Sequence, residues 1–123
     1  VTMLGALGGA RMEHTLANIA TGLFLAKNGV CVTLAGDRSE LHYLLPGRPL
    51  TLAKGDWMYL SVFPLDGPLT GVDLAGVFYP LCAPTLTPDF PLGFSNEFTA
   101  PQARLACTGG SGLVVLTRAD SGA

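Results

Sequence analysis

Charge is scarce in this chain. Seven Lys and Arg and nine Asp and Glu make 13% of 123 residues and leave a net charge of −2. That balance gives no electrostatic basis for holding nucleic acid or an acidic membrane surface. No apolar run approaches the ~18 residues of a membrane span, and the N-terminus has no basic start before an apolar stretch, so no signal peptide is read. The three cysteines, Cys31, Cys82 and Cys107, are scattered and form no CxxC pair, which argues against a zinc site or a disulfide framework. Each reads as a small buried apolar residue in a reducing, cytoplasmic setting. What is plentiful is apolar residues at 49%, with 16 glycines and 9 prolines. That mixture suits many short strands joined by turns.

The most informative stretch is Gly5 to Ile19, GALGGARMEHTLANI. The apolar run Val1–Leu4 leads into it and a helical pattern leads out. Gly5, Gly8 and Gly9 let the backbone turn sharply and approach a ligand closely. The helix behind them offers free N–H groups and the positive end of its dipole, which favour phosphate or carboxylate. Arg11 adds a cationic fork suited to phosphate oxygens. Glu13 adds a carboxylate that could hold a metal or an Arg, and His14 a further polar group. The spacing is neither GxGxxG nor GxxxxGK[ST], so an ordinary strand–helix turn with a charged first helical turn stays open.

Beyond the corner, Leu16, Ile19, Ala20, Leu23 and Phe24 recur at helical spacing and predict a stripe facing a sheet. Asn28-Gly29 predicts the C-terminal cap, and Asn18 falls off the stripe as a solvent-facing residue. Val30–Leu34 predicts a strand parallel to Val1–Leu4. A turn centred on Gly36-Asp37 and a strand over Leu41–Leu45 follow. Asp37, Arg38 and Arg48 read as solvated turn charges. From Lys54 onward the pattern is β. Trp57, Tyr59 and Ser61 alternate with Met58, Leu60 and Val62, predicting an aromatic face and an aliphatic one. Ala103–Cys107 and Leu113–Thr117, split by Thr108–Gly112, predict a closing hairpin. Short strands with no further helix suggest a small sandwich or jelly-roll-like domain. A lone βα unit cannot bury its own sheet face, so the chain reads as the C-terminal part of a longer protein.

Two polar groups in the β part could carry recognition. Ser95 and Asn96 follow Gly93 in a predicted turn and offer the donors and acceptors that read the edge of a heterocycle; bonding to their own backbone is the alternative. Trp57, the single tryptophan, and Tyr79 could stack on a ligand or pack in a core.

Four segments, in order, resemble the thiamine pyrophosphokinases: GALGGARMEHTLAN, GDWMYLSVFPLDGPLTGVDLAGVFYPL, GFSNEF and SGLVVL. Glu13 stands where that family has Asp, and Ala10 is an extra residue before Arg11. The resemblance implies that residues 1–34 are the strand–helix–strand end of an α/β catalytic domain and 35–123 a β-sandwich thiamine-binding domain. It implies transfer of pyrophosphate from ATP to thiamine, giving thiamine diphosphate and AMP, with Mg2+ as cofactor. By residue, it gives Gly8, Gly9 and Arg11 to the phosphates, Arg11 and Glu13 to catalysis, and Ser95 and Asn96 to thiamine. It also implies a homodimer, with thiamine held between the β domain of one subunit and the α/β domain of the other. The family's acidic motifs GDxDS and KDxTD do not occur in these residues, so the chain alone is expected to be inactive. The competing expectation is a non-catalytic β-sandwich that binds a small ligand or dimerises.

Overall fold

A computed structural model describes residues 2–4, 12–36, 38–78, 80–82, 85–87 and 96–118. Strand β1 (Thr2–Leu4) precedes helix α1 (Met12–Lys27). Nine strands follow: β2 (Thr33–Ala35), β3 (Ser39–Leu44), β4 (Leu50–Ala53), β5 (Trp57–Pro64), β6 (Asp73–Ala75), β7 (Leu81–Cys82), β8 (Asn96–Glu97), β9 (Gln102–Ala106) and β10 (Gly112–Arg118). They form a six-stranded sheet ordered β1-β2-β3-β10-β5-β8 and a four-stranded sheet ordered β4-β9-β6-β7. The pair β1–β2 is parallel, as the strand–helix–strand reading requires. Because β2 also pairs with β3, one sheet runs unbroken through residues 34 and 35.

The period-2 pattern of the central strands explains the layering. On β10, Val114 and Leu116 join Leu44, Leu60 and Val62 in a core shared with Leu52, Leu74, Ala103 and Leu105 of the smaller sheet. The intervening Leu113 and Val115 turn to the other face, with Leu34, Leu41 and Tyr43, and pack against Ile19, Leu23 and Ala26 of α1. Helix, large sheet and small sheet thus stack in three layers, and the sandwich core lies between the two sheets. This is the predominantly β sandwich with a βα piece that the sequence predicts.

Helix α1 ends as expected. Gly29 adopts φ +85°, and the Val30 and Gly29 amides bond Leu25 O at 3.1 Å and Ala26 O at 3.1 Å, closing a Schellman turn. Its buried face is rotated from the predicted stripe. Leu16 and Phe24 are 59% and 68% exposed. The face toward the sheet instead carries Ile19, Gly22, Leu23 and Ala26, with Thr15 and Asn18 half-buried. The cause is Tyr43 of β3, whose hydroxyl donates to Ile19 O at 2.6 Å. Only a residue without Cβ fits beneath that ring: a Cβ on Gly22 would lie 2.3 Å from the Tyr43 oxygen.

Three more expectations are corrected, and one strand is added. Arg48 is no solvated turn charge; it donates from Nη1 to Ala26 O at 2.7 Å, satisfying a carbonyl at the negative end of α1. β9 and β10 are not a hairpin, because β9 lies between β4 and β6 while β10 lies between β3 and β5. The glycine-rich link bridges Thr70 to Gly109 and carries the chain between sheets. Cys31 and Cys82 are exposed, and only Cys107 is buried. Finally, β4, which no sequence pattern marked, pairs with β9 along its whole length.

Candidate functional site

Asn96 is the one proposed recognition residue whose side chain is described. It lies in β8, not in a turn, directly across from Leu60 of β5. Leu60 faces the sandwich core, so Asn96 points inward with it and is 2% exposed. Its Oδ1 accepts the Glu97 amide at 3.0 Å. A buried amide held this way fixes the conformation of the strand edge. Gly8, Gly9, Arg11, Ser95 and Tyr79 lie outside the described residues. Glu13 lies in the first turn of α1.

The sheet register relates the two expected halves of the site. Leu4 pairs with Ala35, Ala35 with Glu40, Glu40 with Leu116, Leu116 with Leu60, and Leu60 with Asn96. One lateral row therefore crosses all six strands, from the end of β1 to β8. Five inter-strand steps of about 4.8 Å separate its ends by roughly 24 Å. The helix covers one face of the sheet, whereas Asn96 is directed to the other. Within one chain the strand that leads into the glycine corner and the Asn96 edge are at the same level of the sheet but at opposite edges, farther apart than thiamine can span.

The β8 edge is aromatic on its outer face. Tyr59 pairs with Glu97, and Phe78 donates its amide to Glu97 O at 2.8 Å. Tyr59 is 38% exposed and Phe78 59%. Trp57 does not share this face. The register with β10 slips at Thr117/Arg118, so Met58 is an extra residue on β5. Such a bulge reverses the alternation. Trp57 accordingly packs against the sandwich core, and Arg118 lies 4.6 Å from its ring centroid. That contact is a cation–π pair, and it covers one ring face. The sequence reading missed Phe78; its only signal was an aromatic beside a predicted bend.

Elsewhere, the outer face of the small sheet carries two adjoining hollows of about 500 and 560 Å3 that share Ala75, Gln102 and Arg104. On the opposite side, Lys27 donates to the Asp66 carboxylate, and that bond holds Asp66 below its ordinary range. His42 Nε2 lies 2.7 Å from Glu40 Oε1. Among the described residues no three His, Cys, Asp or Glu come together as a metal site. No helix among them is long and apolar enough to cross a membrane.

Comparison with known proteins centres on one family. The family description "Thiamin pyrophosphokinase, vitamin B1 binding domain" matches residues 50–111. No curated protein sequence matches the chain. Among solved structures, thiamine pyrophosphokinase from Bacillus subtilis superposes with a TM-score of 0.88 at 23% identity, over 96% of this chain and 55% of that one. A thiamin pyrophosphokinase family protein from Enterococcus faecalis gives 0.79 at 28% identity, over 97% and 55%. Thiamin pyrophosphokinase from Candida albicans gives 0.79 at 14% identity, over 96% and 43%. The chain thus spans about half the length of these structures.

Proposed function

The chain belongs to the thiamin pyrophosphokinase family through its vitamin B1 binding domain, and on that premise we propose that it serves pyrophosphoryl transfer from ATP to thiamine in the cytoplasm. In that reaction the thiamine hydroxyl oxygen bonds to the β-phosphorus of ATP. The bond from that phosphorus to the bridging oxygen of the α-phosphate breaks. AMP leaves and a base takes the hydroxyl proton. Such transfers depend on positioning and charge neutralisation rather than on covalent catalysis.

The observation that carries the reading is that the matched segment, 50–111, contains Asn96 and the whole β5–β8 edge. In this account Ser95 and Asn96 meet the aminopyrimidine of thiamine. Gly8, Gly9 and Arg11 meet the phosphates, and Glu13 orients the attacking hydroxyl. The opposite-edge placement of β1 and β8 supports a homodimer in which each site takes the β8 edge from one subunit and the glycine corner from the other.

Mg2+, which neutralises phosphate charge in reactions of this class, finds no fitting donor set among the described residues. The GDxDS and KDxTD acids implied for that role are not in the sequence. We therefore assign thiamine recognition, and not complete catalysis, to these 123 residues. Calorimetry with thiamine, with and without a non-hydrolysable ATP analogue, tests the assignment on wild type and Asn96→Ala. Binding that weakens in the variant supports it; equal binding by both removes Asn96 from the site. AMP release from ATP and thiamine by the chain alone would refute the division of labour.

A further inference from the structure

We propose that the outer face of the small sheet holds a site for an apolar monocarboxylate, anchored by Arg104 and separate from the thiamine site. On β9, Ala103 and Leu105 are buried in the sandwich core, so Gln102 and Arg104 are directed to the outer face. They stand about 7 Å apart along the strand. Their cross-strand partners are small. Gln102 pairs with Ala53, and Arg104 pairs with Thr51 on one side and Ala75 on the other. Alanine is poorly suited to a strand that faces water, and small side chains beside two long ones leave the surface sunken on either side of β9. The hollow of about 500 Å3 is that depression at the Gln102 end of the sheet. Ala53, Ala75, Ala100 and Pro101 give it an apolar lining, and Gln102 and Arg104 a polar one.

Charge selects the occupant. Among the described residues, Arg104 is the only cation lining this hollow or the one beside it. The acid on this face, Asp73, lines only the neighbouring hollow. Among the described residues Arg104 makes no ion pair. Its guanidinium fork can therefore take a carboxylate through two parallel bonds. Thiamine and metal ions, as cations, are repelled. Nucleic acid would need a row of cations. A small hydrophilic anion would gain from Arg104 but nothing from the alanine floor. A neutral apolar ring would gain from the floor but nothing from Arg104. A carboxylate on an apolar body gains from both, and the hollow is within the size range of small-molecule sites. The sandwich core separates this face from the β8 edge, since Arg104 is directed away from that core and Asn96 into it.

The test is titration of the 123-residue chain, followed by amide NMR shifts, with benzoate, its neutral relative benzamide and the cation benzylamine. Wild type is expected to prefer benzoate over benzamide, with shifts at Ala53, Ala75, Gly76, Gln102 and Arg104, and to show none of these with benzylamine. Arg104→Gln should weaken benzoate roughly five-fold, leave benzamide unchanged and so remove the preference. Ala75→Leu places a larger side chain at an exposed position of the hollow and should abolish the shifts with both compounds. Because the preference is a ratio within one protein, it does not depend on how much of a variant is folded. Wild type that shows no benzoate shifts at these amides, or binds benzoate and benzamide equally, would overturn the site. So would a preference unchanged in Arg104→Gln, or benzoate shifts retained in Ala75→Leu. Each of these outcomes leaves the thiamine reading standing.

Discussion

Replacing Gly22 by Ala sets a general rule against a local contact. In an exposed helix interior the change should stabilise by about 1 kcal/mol, because Gly is the poorer helix former. Here the added methyl would sit 2.3 Å from the Tyr43 oxygen, 2.8 Å from Cζ and 2.9 Å from Cε2. The ring cannot simply swing aside, because Tyr43 is buried in the layer between α1 and the sheet and bonded to Ile19 O. Relief requires α1 to lift or the Tyr43 bond to break. Overpacking of this kind costs about 1–3 kcal/mol, and a buried hydroxyl losing its partner costs about 1–3 kcal/mol. Where both costs are met, the net destabilisation after the helix-propensity gain is about 1–5 kcal/mol. Thermal melting followed by circular dichroism reads it as a fall of roughly 3–15 °C in Tm. Tyr43→Phe removes the nearest clashing atom, so the double variant should be less destabilised than the two single changes summed. A Gly22→Ala protein that melts higher than wild type would refute the packing described for the helix.

Burial pushes the Tyr43 phenol up to about 12. Its folded pKa thus exceeds the unfolded value near 10, so the stabilisation is fully present below about pH 10 and is lost, by about 2–3 kcal/mol, as pH rises toward about 12. Denaturant melts across that range check it, and Tyr43→Phe should remove most of the loss. Arg48→Ala should cost about 1 kcal/mol, measured by urea unfolding, because it removes the charge-assisted bond that Ala26 O accepts beside the one from the Gly29 amide. In the native protein Cys31 and Cys82 should react promptly with an aromatic disulfide reagent, whereas Cys107, buried and with its thiol pushed up, should react only on unfolding.

Much of this architecture was readable because its causes are local. Sequence pattern marked β1, β2, β3, β5 and β10 of the large sheet but not the two-residue β8, and Asn28-Gly29 marked the end of α1, since each signal depends on residues a few positions apart. The misreadings share a different cause. Leu16 and Phe24 satisfy helical spacing as well as the residues that are buried, and the choice between faces was made by Gly22 beneath Tyr43, 21 positions away in sequence. Arg48 looked like a turn charge because its acceptor, Ala26 O, belongs to an element 22 residues back. The false hairpin arose because glycine-rich links between neighbouring strands and between sheets look alike. Trp57 changed faces through one extra residue, Met58, a bulge that alternation alone does not reveal. At the site, the resemblance pointed to Asn96. The row that puts β8 and β1 at opposite edges follows only from pairing, and so did the grouping of Tyr59, Glu97 and Phe78.

Amide hydrogen exchange with and without saturating thiamine probes recognition at the β5–β8 edge without any substitution. Thiamine should slow exchange across residues 57–60 and 96–99. Protection confined to the outer face of the small sheet, at residues 51–53 and 102–106, would contradict recognition at that edge and move the site to the hollows around Arg104.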